Sequence, residues 1–194
     1  RLEIDKFEKI CLASKPNLWS ILQSLKYINY SNVPGDIVEC GIYNGHTLSF
    51  LGMFLSKYSM KKKIWGYDSF EEGFFKENFS EYDTDYKTKK KVSLDNDTTK
   101  YFTLEKVISN INQNDKYNNE KYSLVKGDII KTLDIKDNIP DQISFLRMDT
   151  DIYKTTKKQL EILYPKLSKG GILHIDDYGF CSGVRKAVDE YFHN

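Results

Sequence analysis

Two pairs of acidic residues follow apolar runs in the second half of the chain, at spacings that suit a divalent cation. Asp149 and Asp151 follow the run ISFLRM, and Asp176 and Asp177 follow the run ILHI. Carboxylate oxygens suit Mg²⁺ or Mn²⁺, which keep positions open for water or substrate. A hydroxyl bound to such an ion becomes more acidic, and a neighbouring carboxylate can take its proton. These residues predict a metal on Asp149, Asp176 and Asp177, with Asp151 as the general base.

A glycine turn and a third acid suit a nucleotide-like cofactor. The turn Gly41-Ile42-Tyr43-Asn44-Gly45 leaves an apolar run and enters a helical one, where glycines let the backbone approach a ligand and the helix start favours an anion. The turn lacks the full GxGxxG pattern, which counts against a dinucleotide. Asp68 follows the next apolar run and is suited to accept hydrogen bonds from a ribose. Capping of the segment that follows is the alternative role for Asp68.

The elements that must position these residues alternate along the chain. The sequence predicts strands over residues 36–40, 64–67, 122–126, 143–148 and 172–175. It predicts helices over residues 2–13, 16–28, 47–57, 101–111, 153–167 and 182–192, with a cap and turn at Lys169-Gly170-Gly171. This alternation indicates a doubly wound α/β fold, a parallel sheet in the order 3-2-1-4-5 with helices on both faces.

Four of the five predicted strands end in an acid, namely Asp68, Asp128, Asp149 and Asp176. In an open parallel sheet, ligands bind at the carboxyl ends of the strands, so these acids share one crevice. Because like charges repel, the crevice should hold something that neutralises the acids or hydrogen-bonds to them.

The chain length suits a single domain over residues 1–194. Residues 1–32 are predicted as a helical cover over the cofactor edge. Residues 69–100 are polar and show no clear period, and a connection of that length is typical of a mobile cover over a substrate.

The composition of the chain limits the classes of partner that it is expected to bind. The 29 Lys and Arg residues balance the 28 Asp and Glu residues, which argues against nucleic-acid binding by bulk charge. The three cysteines show no paired spacing, so neither a disulfide framework nor a zinc site is expected, and a cytoplasmic setting fits. No apolar run approaches the roughly 20 residues of a membrane helix. We expect a small-molecule or glycan-precursor substrate, and the 14 Tyr and 11 Phe residues suit a homodimer contact.

Several segments resemble the TylF/MycF/NovP (macrocin O-methyltransferase) family. Residues 33–41, VPGDIVECG, resemble its first motif, and residues 67–71, YDSFE, resemble its second. The most specific matches are residues 143–153, ISFLRMDTDIY, and 164–179, YPKLSKGGILHIDDYG. Residues 182–192, SGVRKAVDEYF, resemble the helix that follows in the family.

This resemblance implies a Rossmann-like class I methyltransferase fold that binds S-adenosylmethionine. It implies Mg²⁺-dependent methylation of a hydroxyl, typically on a sugar or sugar-containing metabolite, with the metal ligands and the base assigned above. The implied cofactor contacts are Glu39 and Gly41 for the methionine part, Asp68 for the ribose, Asp128 and Ile129 beside the adenine, and Gly45 and Ser69 nearby. For Asp128, a simple turn role is the alternative.

Two departures from the family bear on these assignments. Family members usually continue past the final helix into two more strands, whereas this chain ends at Asn194, so that pair is expected to be missing through truncation or a different finish of the sheet edge. Some relatives use a histidine base from the loop after the second motif. No histidine lies in residues 69–100 here, which favours Asp151.

Two rival functions remain. The run Asp149-Thr150-Asp151 also fits the DxD motif of a metal-dependent glycosyltransferase, and a lone DxD would be no more than a pair of exposed turn acids. The Glu39-Cys40-Gly41 turn and the acidic pair at 176–177 count against the glycosyltransferase, and the same acidic pair counts against exposed turn acids. The second rival is a non-catalytic binding domain. Such a domain would not need to retain Asp149, Asp151, Asp176 and Asp177 together, and this chain has all four.

Overall fold

The computed structural model of the chain describes residues 2–92 and 102–193. Its sheet has five parallel strands in the order β3-β2-β1-β4-β5. The strands are β1 (Asp36–Cys40), β2 (Ile64–Asp68), β3 (Tyr122–Lys126), β4 (Ile143–Met148) and β5 (Leu167–Ile175). The predicted doubly wound sheet and its strand order are confirmed.

Helices cover both faces of this sheet. They are α1 (Leu2–Phe7), α2 (Lys15–Tyr30), α3 (His46–Lys57), α4 (Leu104–Asn112), α5 (Ile129–Thr132), α6 (Tyr153–Ile162) and α7 (Ser182–Phe192). Helices α1 to α4 share one hydrophobic core with Ile37 of β1, and α5 to α7 share a second core with Val38. Successive strand residues point to opposite faces, which is why one strand feeds both cores. No helix within the described ranges is long and apolar enough to cross a bilayer.

The end of the chain departs from the predicted elements. The helix predicted over residues 153–167 ends at Ile162 and is followed by a single 3-10 turn over Tyr164–Lys166, because Pro165 has no N–H to continue the α-helical hydrogen bonds. The predicted turn at Gly170 and Gly171 lies within β5 instead. Gly170 has a φ of 82°, and the register between β4 and β5 shifts in this stretch. Pairing with β4 therefore extends the strand through residues that look locally like a turn.

Helix starts and covers also differ from the predictions. Helix α1 ends at Phe7 rather than at residue 13. Helix α4 begins after Thr103, whose hydroxyl caps it by accepting a hydrogen bond from the Lys106 N–H, at 3.2 Å. The predicted helix start at Tyr101 and residues 93–100 of the predicted mobile cover lie outside the described residues. Residues 69–92 contact the rest of the domain, and Asp85 forms an isolated antiparallel β-bridge with Cys181.

Gly41 is the position where a side chain is least tolerable at the carboxyl edge. Its φ is 83°, and a Cβ there would lie 1.8 Å from the carbonyl oxygen of Asp149. We expect Gly41→Ala to lower the free energy of unfolding by at least about 2 kcal/mol, through backbone strain and this clash. At Gly179 a Cβ meets nothing within 4 Å, so Gly179→Ala should change stability by at most about 0.5 kcal/mol. Equal losses for the two variants in urea unfolding would contradict this account.

Candidate active site

A cavity of about 330 Å³ opens at the carboxyl ends of the strands. Small-molecule sites usually span about 300 to 1,000 Å³. Eight of the predicted site residues line it: Gly41, Asp68, Ser69, Asp128, Ile129, Asp149, Asp151 and Asp176. The cavity lies where an open parallel sheet binds its ligands.

Three predicted site residues do not line this cavity. Glu39 is completely buried in β1, and Gly45 precedes α3, where a Cβ would lie 2.6 Å from the Val107 side chain. Asp177 lies one residue beyond Asp176 and belongs to the acidic cluster without lining the cavity. Glu39 therefore reaches the cavity only indirectly, through its ion pair with Arg147, which lines the cavity.

A buried arginine that the sequence analysis did not single out lies beneath the acids. Arg147, the second-last residue of β4, is 2% exposed. Its Nη1 donates to Glu39 Oε1 at 2.8 Å and to Asp149 Oδ2 at 2.7 Å, and its Nη2 lies 3.5 Å from Asp176 Oδ2. The sequence does carry a signal for it, because a charge inside an apolar strand must find a partner when buried.

The three predicted metal ligands converge. Asp149 and Asp176 follow paired residues of the adjacent strands β4 and β5, and Asp177 comes next. One carboxylate oxygen from each of the three lies within 4.8 Å of the others. The Oδ2 atom of Asp177 is buried and has no hydrogen-bond partner among the described residues. A buried oxygen without a partner, within a set of three hard ligands, fits a divalent cation.

The charge balance of the cluster points the same way. Burial and the nearby Asp149 raise the pKa of Asp176 to about 6, although the Arg147 guanidinium opposes this. Burial and the hydrogen bond to Asp151 raise the pKa of Asp177 to about 9. Carboxyl groups hold on to protons in this way where positive charge is in short supply. A bound cation would supply that charge.

Asp151 has a strained backbone beside the cluster. Its φ is 64°, a left-handed conformation that is uncommon for residues with a side chain. Burial raises its pKa, and Asp177 hydrogen-bonds to its carboxylate. The Thr150 hydroxyl beside it accepts from Gln159 Nε2 at 2.7 Å and lies 2.8 Å from the Thr155 hydroxyl. The first turns of α6 therefore hold this loop in place.

Asp68 both shapes the turn and lines the cavity. Its Oδ2 accepts from the N–H groups of Ile42 and Tyr43 at 2.6 and 2.9 Å, and its Oδ1 accepts from the Phe70 N–H at 2.7 Å. The capping role considered as an alternative is thus present in the structure. The Ser69 hydroxyl also donates to Oδ1, at 3.5 Å, so four donors fill the roughly four lone-pair positions of the carboxylate, and a ribose hydroxyl would have to replace one of them.

Asp128 also has a structural role inside the cavity wall. Its Oδ1 accepts from Ile130 N–H at 3.0 Å, which begins α5, and from Asn78 Nδ2 at 2.8 Å. Asn78 belongs to the predicted substrate cover, and nothing in the local sequence indicated this contact. Leu12 and Ala13, from the predicted N-terminal cover, also line the cavity.

Fold and site together define a Rossmann-like α/β protein with a small-molecule cavity and a carboxylate cluster at the carboxyl edge of its sheet. The Macrocin-O-methyltransferase (TylF) family profile matches residues 12–194. The chain therefore belongs to the Macrocin-O-methyltransferase (TylF) family, as its motifs predicted.

The relatives share both sequence and fold with the chain. Demethyldecarbamoylnovobiocin O-methyltransferase of Streptomyces niveus is 29% identical over 180 residues, covering 90% of this chain and 64% of that protein. A Streptomyces olivaceus relative, 8-demethyl-8-(2,3-dimethoxy-alpha-L-rhamnosyl)-tetracenomycin-C 4'-O-methyltransferase, is 30% identical over 168 residues, covering 82% of this chain and 58% of that protein. The solved structure of the O-methyltransferase NovP matches with a TM-score of 0.74 at 27% identity, covering 92% of this chain and 71% of the other. The chain thus spans about three fifths of the length of these two curated relatives.

Removal of the buried guanidinium should be more damaging than removal of an exposed ion pair. Arg147→Met leaves Glu39 and Asp149 without their counterion, so we expect a loss of about 3–5 kcal/mol in unfolding free energy. Lys158 pairs at 2.5 Å with Asp134, whose side chain is 66% exposed, and Lys158→Met should lose at most about 1 kcal/mol. Urea unfolding measures both losses, and a loss below 1 kcal/mol for Arg147→Met would refute the central role of this residue.

Proposed function

We propose that the chain is an O-methyltransferase that uses S-adenosylmethionine and a divalent cation, Mg²⁺ or Mn²⁺, to methylate a hydroxyl of a sugar or sugar-containing metabolite. The observation that carries this proposal is the convergence of Asp149, Asp176 and Asp177 beside the cavity. Membership of the family and the printed names of its relatives, one of which includes a rhamnosyl group, support the reaction and the substrate class.

The cavity is the proposed cofactor site. Gly41 lets the β1–α3 turn lie directly against the Asp149 backbone, which no residue with a side chain would allow. Asp68 and its neighbour Ser69 would contact the ribose, while Asp128 and Ile129 would lie beside the adenine. Glu39 would act on the methionine part from beneath, through its ion pair with Arg147. When bound, the cofactor supplies an activated methyl group, and the cation makes a bound hydroxyl more acidic.

Asp151 is the proposed general base. In the chain without a cation, Asp177 hydrogen-bonds to the Asp151 carboxylate. Metal ligands must be deprotonated, so a cation on Asp177 would leave Asp151 free to accept a proton. The strained backbone at Asp151 is consistent with a position held for function.

The two covers complete the proposed single domain. Leu12 and Ala13 precede α2, and Phe74 and Phe75 belong to the predicted substrate cover, and all four line the cavity. These apolar side chains would exclude water from the reacting groups, which strengthens the electrostatic interactions inside. The acceptor would enter beside Asp151, between these covers.

Calorimetry separates this proposal from the glycosyltransferase alternative. We expect S-adenosylhomocysteine to bind the chain in the presence of Mg²⁺, and we expect no transfer of the sugar from a sugar nucleotide in the presence of Mn²⁺. Transfer of label from S-adenosylmethionine to a panel of sugar acceptors should stop with EDTA and return with added Mg²⁺. Absence of S-adenosylhomocysteine binding both with and without Mg²⁺ would eliminate the methyltransferase proposal.

Replacement of the base tests the assignment of Asp151. For Asp151→Asn we expect kcat to fall by about 10²- to 10⁴-fold, the usual contribution of a general base. Binding of S-adenosylhomocysteine and Mg²⁺ should stay close to that of the unaltered chain. Asp134→Asn, an exposed acid remote from the cavity, serves as the matched control and should leave kcat unchanged. A kcat for Asp151→Asn within threefold of the control would assign the base elsewhere.

A further inference from the structure

The N-terminus of α2 contacts the acidic cluster directly. The side-chain Nδ2 of Asn17 donates to Asp176 Oδ1 at 2.6 Å, across 159 residues of sequence. Asn17 lies in the first turn of α2, where its backbone N–H donates to the Ser14 hydroxyl at 3.4 Å. Its next neighbour, Leu18, is completely buried in the core, so the backbone at this point is held in place.

This contact completes the orientation of one proposed metal ligand. Asp176 Oδ1 accepts from Asn17, and Asp176 Oδ2 lies 3.5 Å from Arg147 Nη2. Donors on both oxygens fix the rotation of the carboxylate. A neutral amide leaves the negative charge of Asp176 in place, and each oxygen retains a lone pair for a cation. A lysine at position 17 would instead compete with the cation for that charge.

The same contact ties the cofactor cavity to the metal cluster. Leu12 and Ala13 line the cavity and lie just before α2, separated from Asn17 by only three residues. Lys15, two residues before Asn17, pairs with Asp5 of α1 at 2.5 Å. Any shift of the first turn of α2 relative to Asp176 would therefore move the cavity wall as well.

We propose that Asn17 is a positioning residue that orients Asp176 for the divalent cation and couples cation binding to the seating of α1 and α2 over the cofactor cavity. This inference rests on the proposed function, through the metal on Asp149, Asp176 and Asp177. Coupling between two sites is reciprocal, so the cation should strengthen binding at the cavity by the same factor by which a cavity ligand strengthens cation binding. Removal of the Asn17 amide should reduce that factor.

Mn²⁺ titration of the full chain, by the electron paramagnetic resonance signal of the free ion, tests the first part. Partners that orient metal ligands contribute about 10- to 100-fold to metal affinity, so Asn17→Ala should bind Mn²⁺ at least about tenfold more weakly. Asn29 lies in the last turn of the same helix, about 18 Å along its axis. Asn29→Ala is the matched control and should keep the affinity of the unaltered chain.

The affinity for S-adenosylhomocysteine, measured with and without Mn²⁺, tests the coupling. In Asn17→Ala, we expect the Mn²⁺-dependent gain in affinity to disappear while the metal-free affinity stays within twofold of the unaltered chain. A merely structural role would lower both affinities equally and leave the gain intact, which would overturn the proposal. If the variant does not fold, hydrogen exchange on the unaltered chain decides, since Mn²⁺ should slow exchange in residues 8–17.

The outcomes separate this inference from the function beneath it. The Asp149→Asn variant provides the reference for loss of the metal site. If the unaltered chain binds Mn²⁺ and Asn17→Ala binds it equally well, the inference about Asn17 is wrong and the proposed metal site stands. If the unaltered chain binds Mn²⁺ no better than Asp149→Asn does, the proposed metal site and the inference both fail.

Discussion

The structure depends on one buried positive charge near the carboxyl end of β4. Arg147 in β4 reaches Glu39 of β1 and the acids that follow β4 and β5, so a single guanidinium joins three adjacent strands at their functional edge. Removal of a charge from water is tolerated only where such partners compensate it. The guanidinium nevertheless faces several carboxylates, and burial together with these neighbouring acids raises the pKa values of Asp176 and Asp177. The fold thus holds together a site that remains short of positive charge.

The other acids of the cavity hold the local backbone and also line the cavity wall. Asp68 holds the glycine turn through backbone N–H groups, and Asp128 begins α5, yet both line the cavity wall. The capping and turn roles weighed from the sequence are therefore present, and the ligand contacts of both residues are proposals. The turns that these acids hold give the cavity its shape, so a cofactor would meet a wall already formed.

The covers connect this edge to distant parts of the chain. Asn17 brings α2 to Asp176, and Asn78 brings the segment after β2 to Asp128, so both covers are anchored on acids of the cavity. Such anchors place apolar side chains over a polar cluster without a separate domain. The chain spans about three fifths of its curated relatives, and within that span it contains a five-stranded sheet and the acidic edge.

The sequence by itself determined β1, β3 and β4 to the residue, because a buried parallel strand is a continuous apolar run with a local signature. It also predicted that Asp149, Asp176 and Asp177 would meet, since neighbouring parallel strands end at one edge. Only the tertiary structure decided that Arg147 would pair with Glu39, 108 residues away, and that β5 would continue through Gly170. Long-range partners and shifts of strand register depend on the segments that pack against a strand. The local sequence pattern does not identify those segments.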